Sequence, residues 1–174
     1  MPANPSIPAF DPLSIPIAGT NLIEASAGTG KTYGIAALFT RLVVLEQMPV
    51  ESILTVTFTK AATAELKTRL RARLDEVLQA LESVEDTDNL SDNLEAYCRD
   101  NHPGDVFLTG LLKQALAQES RARLIVRLKA AIGQFDNAAI YTIHGFCQRI
   151  LRDYAFLCRA PMDVESVSYT HLTL

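Results

Sequence analysis

Residues 21–32 read NLIEASAGTGKT. A short apolar lead, Leu22 and Ile23, runs into small residues and then into Lys31 and Thr32. This order predicts a strand over 21–25, a tight glycine-bearing loop, and a helix over 32–46. In such a loop successive backbone N–H groups converge on one anion, and the following helix adds the positive end of its dipole. The reading assigns Ala25, Ser26, Ala27, Gly28, Thr29, Gly30, Lys31 and Thr32 to the phosphates of a bound nucleotide. Lys31 is expected at the β and γ phosphates and the Thr32 hydroxyl on Mg²⁺, which makes these two the catalytic candidates and ATP with Mg²⁺ the expected cofactors. The strict pattern G-x-x-x-x-G-K-[ST] has glycine where this chain has Ala25. Gly28 and Gly30 are left to supply positive φ and close phosphate approach. Alone, the loop specifies phosphate binding and does not separate a kinase from a GTPase or a motor.

Downstream, Ile35, Leu38, Phe39, Leu42 and Val43 recur at helical spacing on one face, and Pro49 closes that segment. Residues 53–58 (ILTVTF) read as a second strand, apolar enough to be buried on both faces. A helix is expected from about 61 to 81 with Leu66, Leu70, Leu74, Val77, Leu78 and Leu81 inward; Lys67, Arg69, Arg71 and Arg73 read as a solvated basic face. Residues 82–105 are acidic and turn-rich, a surface excursion with one short helix around 94–98 and no metal-ligand spacing. Two amphipathic helices follow, over 106–117 and 120–135, the second with Arg121, Arg123, Arg127 and Lys129 outward. Residues 138–142 form a third strand, and 144–157 a helix with Phe146, Ile150, Leu151, Tyr154 and Leu157 inward. In an open parallel sheet, ligands gather at the carboxyl ends of strands. Phe58, Thr59 and Lys60 at one such end can stack a base and hold a phosphate, and Thr142 and His144 occupy another.

Upstream, prolines 2, 5, 8, 12 and 16 make residues 1–20 an extended lead-in. Phe10, Leu13 and Ile15 are expected to pin it to the domain or to a bound adenine. The 174 residues carry a net charge of −4, with 48% hydrophobic and 21% charged residues. These values suit one globular domain, and any nucleic-acid contact must be local. Cys98, Cys147 and Cys158 are odd in number and form no C-x-x-C pair, which argues against a disulfide framework or zinc site and for a reduced, cytoplasmic setting. The N-terminus lacks the basic and apolar regions of a signal peptide.

Three blocks now stand in order: ASAGTGKT, VTFTKAATAELKTRL and YTIHGFCQRIL. Together they resemble motifs I, Ia and Ib of superfamily 1 helicases of the UvrD/Rep type, most closely the RecB family, the beta subunit of exodeoxyribonuclease V. The resemblance implies an α/β fold: a partial RecA-like P-loop NTPase domain, a parallel sheet flanked by helices, with an inserted helical subdomain. It implies a lead-in over 1–20, motifs I and Ia over 21–84, the insertion over 85–136, and motif Ib in a return over 137–160. A poorly patterned tail covers 161–174, of which 168–174 (SYTHLTL) is expected to be non-native. Phe58 and Thr59, with Thr142 and His144, resemble the family's single-stranded DNA contacts. The resemblance further implies single-stranded and duplex DNA, RecC-like and RecD-like subunits as partners, and a role in double-strand break repair and recombination.

Residues 1–174 contain no acidic D-E-x-Q-D block, arginine finger, second RecA-like domain or nuclease domain of the family. The expectation is therefore the N-terminal piece of a longer motor subunit, one that binds nucleotide without turning it over. Two alternatives stand beside it: a truncated fragment that only binds nucleotide or DNA, and a small P-loop kinase, which has no use for the second and third blocks.

Overall fold

Leucines four residues apart build the centre of the molecule. The computed structural model describes residues 9–24, 30–85, 87 and 89–154. Within them, α1 (Lys31–Val44) leads to a 3-10 turn and strand β1 (Thr55–Thr57). Helices α2 (Lys60–Glu82), α3 (Leu90–Asn101), α4 (Val106–Gln118) and α5 (Arg121–Gly133) follow in turn. A second 3-10 turn, strand β2 (Ile140–Thr142) and helix α6 (Ile143–Asp153) complete the order. Leu66, Leu70, Leu74, Val77 and Leu81 form the buried stripe of α2, as the spacing predicts. They meet Phe39, Val43 and Val44 of α1, Leu108, Leu111 and Leu112 of α4, and Leu124 and Leu128 of α5 in one continuous core. Phe39 and Phe135 close one side of it edge to face, with ring centroids 6.2 Å apart.

The sheet is small. β1 and β2 pair in parallel with Thr55 opposite Ile140, Val56 opposite Tyr141 and Thr57 opposite Thr142. The expected strand over 21–25 does not form in its described part: residues 21–24 are irregular, Leu22 is 84% exposed, and Ala25 lies outside the described residues. A strand is held by the hydrogen bonds of a neighbour, and nothing among the described residues pairs with this one. Nor is 53–58 buried on both faces; Leu54, Val56 and Phe58 are exposed. Burial on two faces needs cover on each, and a two-stranded sheet has it on one. The same holds for α6, which has no buried residue. Phe146 leans on Tyr141, but Ile150, Leu151 and Tyr154 face outward, and Leu157 lies outside the described residues.

Three further corrections concern the helical part. Ile35 is exposed, because α1 turns its alanine side, Ala36 and Ala37, into the core. The segment expected as a loop with a short helix is the twelve-residue α3, which buries Leu94 and Cys98. Several arginines expected in solvent are structural. Arg127 donates to Val43 O and Val44 O and pairs with Glu119, while the Arg121 Nε–H donates to Leu81 O at 2.7 Å. Helix ends leave carbonyls without intrahelical partners, and a cation there is favoured by the helix dipole. Two arginines of α5 thus cap α1 and α2. Arg73, 9% exposed, is held inside by acidic partners.

The lead-in is docked by packing. Phe10 rests on Gly34 of α1, where an added Cβ would come within 3.0 Å of its ring, and Leu13 fills the space left by Gly110 of α4. Arg41 Nη1 donates to Pro12 O at 3.0 Å and Ile15 O at 2.8 Å. The described residues contain no helix long and apolar enough to cross a membrane.

Candidate nucleotide and nucleic-acid site

Gly30 starts α1 with φ +90°, in the left-handed region that glycine enters without penalty. An added Cβ would meet only Tyr33 Cβ, at 3.9 Å, so the backbone angle rather than crowding calls for glycine. Among the described residues no side chain caps this helix, and its first turn holds no acidic residue. Lys31 is exposed and Thr32 half-buried on that turn. A helix N-terminus, a cation and no acidic residue in the first turn fit a bound polyphosphate. Ala25, Ser26, Ala27, Gly28 and Thr29 lie outside the described residues.

The second region is the carboxyl end of the sheet. The pairing of Thr57 with Thr142 sets residues 58–60 and 143–145 side by side. Each strand then passes directly into a helix. The Thr59 hydroxyl accepts from Ala62 N at 3.1 Å and so caps α2; the Thr142 hydroxyl accepts from Gly145 N at 3.0 Å and caps α6. Both candidate DNA-contacting threonines thus hold the turns that present their neighbours. Those neighbours are open: Phe58 is 90% exposed, and Lys60 and His144 are exposed as well. Thr57 and Thr63 hydroxyls, 2.6 Å apart, brace the first turn from behind.

Two features here were not singled out from the sequence. The Arg149 guanidinium lies 5.3 Å from the Tyr141 ring centroid and bonds to its hydroxyl. The Tyr141–Arg149 spacing spans a strand and a helix, so no single periodicity reveals it. Threonine just ahead of each helical pattern was the legible sign of the two caps.

A third group ties the start of α1 to the rest. Arg73 Nη1 lies 2.5 Å from Asp105 Oδ2 and 2.6 Å from Glu76 Oε2. Asp105 caps α4 by accepting from Leu108 N at 2.9 Å on Oδ1, and the Tyr33 hydroxyl donates to the same oxygen at 3.3 Å. Burial pushes the Asp105 carboxyl up, but Arg73, the Leu108 N–H and Tyr33 outweigh it and hold the group below the usual carboxylate range. The Tyr33 phenol is raised, first by burial and then by the Asp105 charge. The Cys98 thiol is raised by burial. No cluster of metal-ligating residues occurs among the described residues.

Residues 11–170 match the UvrD/REP helicase N-terminal domain family, and the chain belongs to it. Among curated proteins, the RecBCD enzyme subunit RecB of Haemophilus influenzae is 41% identical over 165 residues, 91% of this chain and 13% of that protein. The Escherichia coli RecB subunit is 42% identical over 155 residues, 84% of this chain and 11% of its own length. That of Mycolicibacterium smegmatis is 37% identical over 133 residues. The chain therefore spans about an eighth of the first of these relatives and less of the second.

Proposed function

We propose that this chain is the ATP-binding N-terminal part of a RecBCD-type helicase and nuclease subunit. That subunit couples ATP hydrolysis to movement along single-stranded DNA during double-strand break repair and recombination. The observation that carries the reading is the pairing of Thr57 with Thr142, which sets Phe58 and His144 at one sheet edge. The first turn of α1, bearing Lys31 and started by Gly30 at φ +90°, stands with it. Residues 25–32 would cradle the phosphates, Lys31 neutralising charge and Thr32 holding the cation. Bound Mg-ATP would supply the phosphoanhydride whose cleavage powers movement. Phosphoryl transfer to water depends on positioning and charge neutralisation, and this chain supplies one wall of that cage within a partial RecA-like domain. Phe58 would stack a base and Lys60 meet a phosphate, with Thr59, Thr142 and His144 shaping the same edge. RecC-like and RecD-like subunits would be the partners of the longer protein, in the cytoplasm.

The open apolar side of β1 and α6 favours one qualification: the chain by itself binds but does not turn over. Titration with Mg-ATP and with a fluorescein-labelled single-stranded oligonucleotide tests the reading. Lys31→Ala should abolish nucleotide binding and leave oligonucleotide binding intact, and Phe58→Ala should do the reverse. A wild-type chain that binds neither ligand would overturn it.

A further inference from the structure

We propose that Tyr33, Asp105 and Arg73 form a positioning device that sets the first turn of α1, and with it Lys31 and Thr32, for nucleotide. The inference rests on the reading of that turn as a phosphate site.

Tyr33 stands in the first turn of α1, two residues after Lys31. Its hydroxyl donates to Asp105 Oδ1, and the Arg73 guanidinium lies 5.8 Å from its ring centroid. Asp105 cannot follow Tyr33 if it moves. One of its oxygens caps α4, and the other is pinned by Arg73 at 2.5 Å. Arg73 is immobilised in turn by Glu76 and by the Phe107 ring, whose centroid is 5.3 Å away. The chain of contacts runs from the nucleotide end of α1, through the cap of α4, to the buried side of α2.

A simpler use of the same charges would be stability alone, yet the layout does not suit that use. A buried ion pair returns little net stability, because desolvation costs about as much as the pairing gains. What such a pair does provide is a fixed direction, and here the direction is given to a half-exposed tyrosine beside the phosphate-binding lysine. The rest of α1 is held by apolar packing on α2, α4 and α5. The Tyr33 link adds a polar fix at the one end where position matters.

Tyr33→Phe keeps the ring and removes only the link. Measured with Mg-ATP on the 174-residue chain, it should weaken binding about three- to fivefold, the factor of one ordinary hydrogen bond, with the melting temperature within about 2 °C of wild type. Asp105→Asn, which also loses the charge facing Arg73, should weaken binding further and lower the melting temperature. Glu95→Gln, at an exposed pair with Lys113, should change neither. Wild-type affinity in Tyr33→Phe, while Lys31→Ala fails to bind, would overturn the positioning role and leave the phosphate site standing. Loss of affinity only in step with loss of folded protein would also overturn it. A wild-type chain that binds no Mg-ATP would overturn both.

Discussion

The helical part and the sheet part of this molecule are built to different degrees of closure. In the helical part, α2, α4 and α5 bury Leu66, Leu70, Leu74, Leu81, Leu108, Leu111, Leu112, Leu124 and Leu128, and even orphan carbonyls at the ends of α1 and α2 are met by arginines. In the sheet part, among the described residues, the three-residue strands pair only with each other, and α6 buries nothing. Val56, Ile143, Ile150, Leu151 and Tyr154 stand in solvent. Burial and exposure of apolar surface are thus separated. The closed part supplies a rigid base, and the open part carries the strand ends where Phe58 and His144 are displayed.

If that division is right, the largest stability effects belong to the closed part. Leu74→Ala, at a side chain with no exposed surface, should cost about 2–5 kcal/mol, measured by urea unfolding. Ile150→Ser on the open face should change stability by less than about 0.5 kcal/mol. Equal costs at the two sites would break the comparison.

Arg127→Ala should come next. It strips the α1 carbonyls of Val43 and Val44 of their donor and leaves Glu119 unpaired, a loss of about 2 kcal/mol. A change within error would show that water replaces the guanidinium.

The smallest effect is set by pH. The Asp105 carboxyl is held below its ordinary value in the folded chain. Its contribution is therefore fully present above the unfolded value, about pH 4, and is lost as pH falls through the lower folded value. Between about pH 4 and 2, Asp105→Asn should flatten the acid-induced fall in melting temperature relative to wild type. An unchanged slope would mean that other carboxylates govern acid unfolding.

Helices α1, α2, α4 and α5 were legible because each carries a repeated apolar stripe. α2, α4 and α5 fall within a few residues of the segments expected from leucine spacing, and Thr59 and Thr142 mark two of the starts. The left-handed glycine at the start of α1 was legible for a related reason: its signal is local, written in contiguous residues. What escaped were uses that depend on a distant partner. Arg73 looked like part of a basic outer face, and only Asp105, thirty-two residues on, makes it an interior residue. Arg127 looked solvated until its bonds to Val43 and Val44 appeared.

The sequence by itself determined the leucine stripes of α2, α4 and α5 and the strand-forming stretches that became β1 and β2, because spacing and β-branched content act over a few residues. Only the tertiary structure decided which charges lie inside, which strand face stays open, and that the ends of β1 and β2 meet. Those outcomes depend on where remote segments pack, and a long side chain settles beside whichever carbonyl or carboxylate that packing brings within reach.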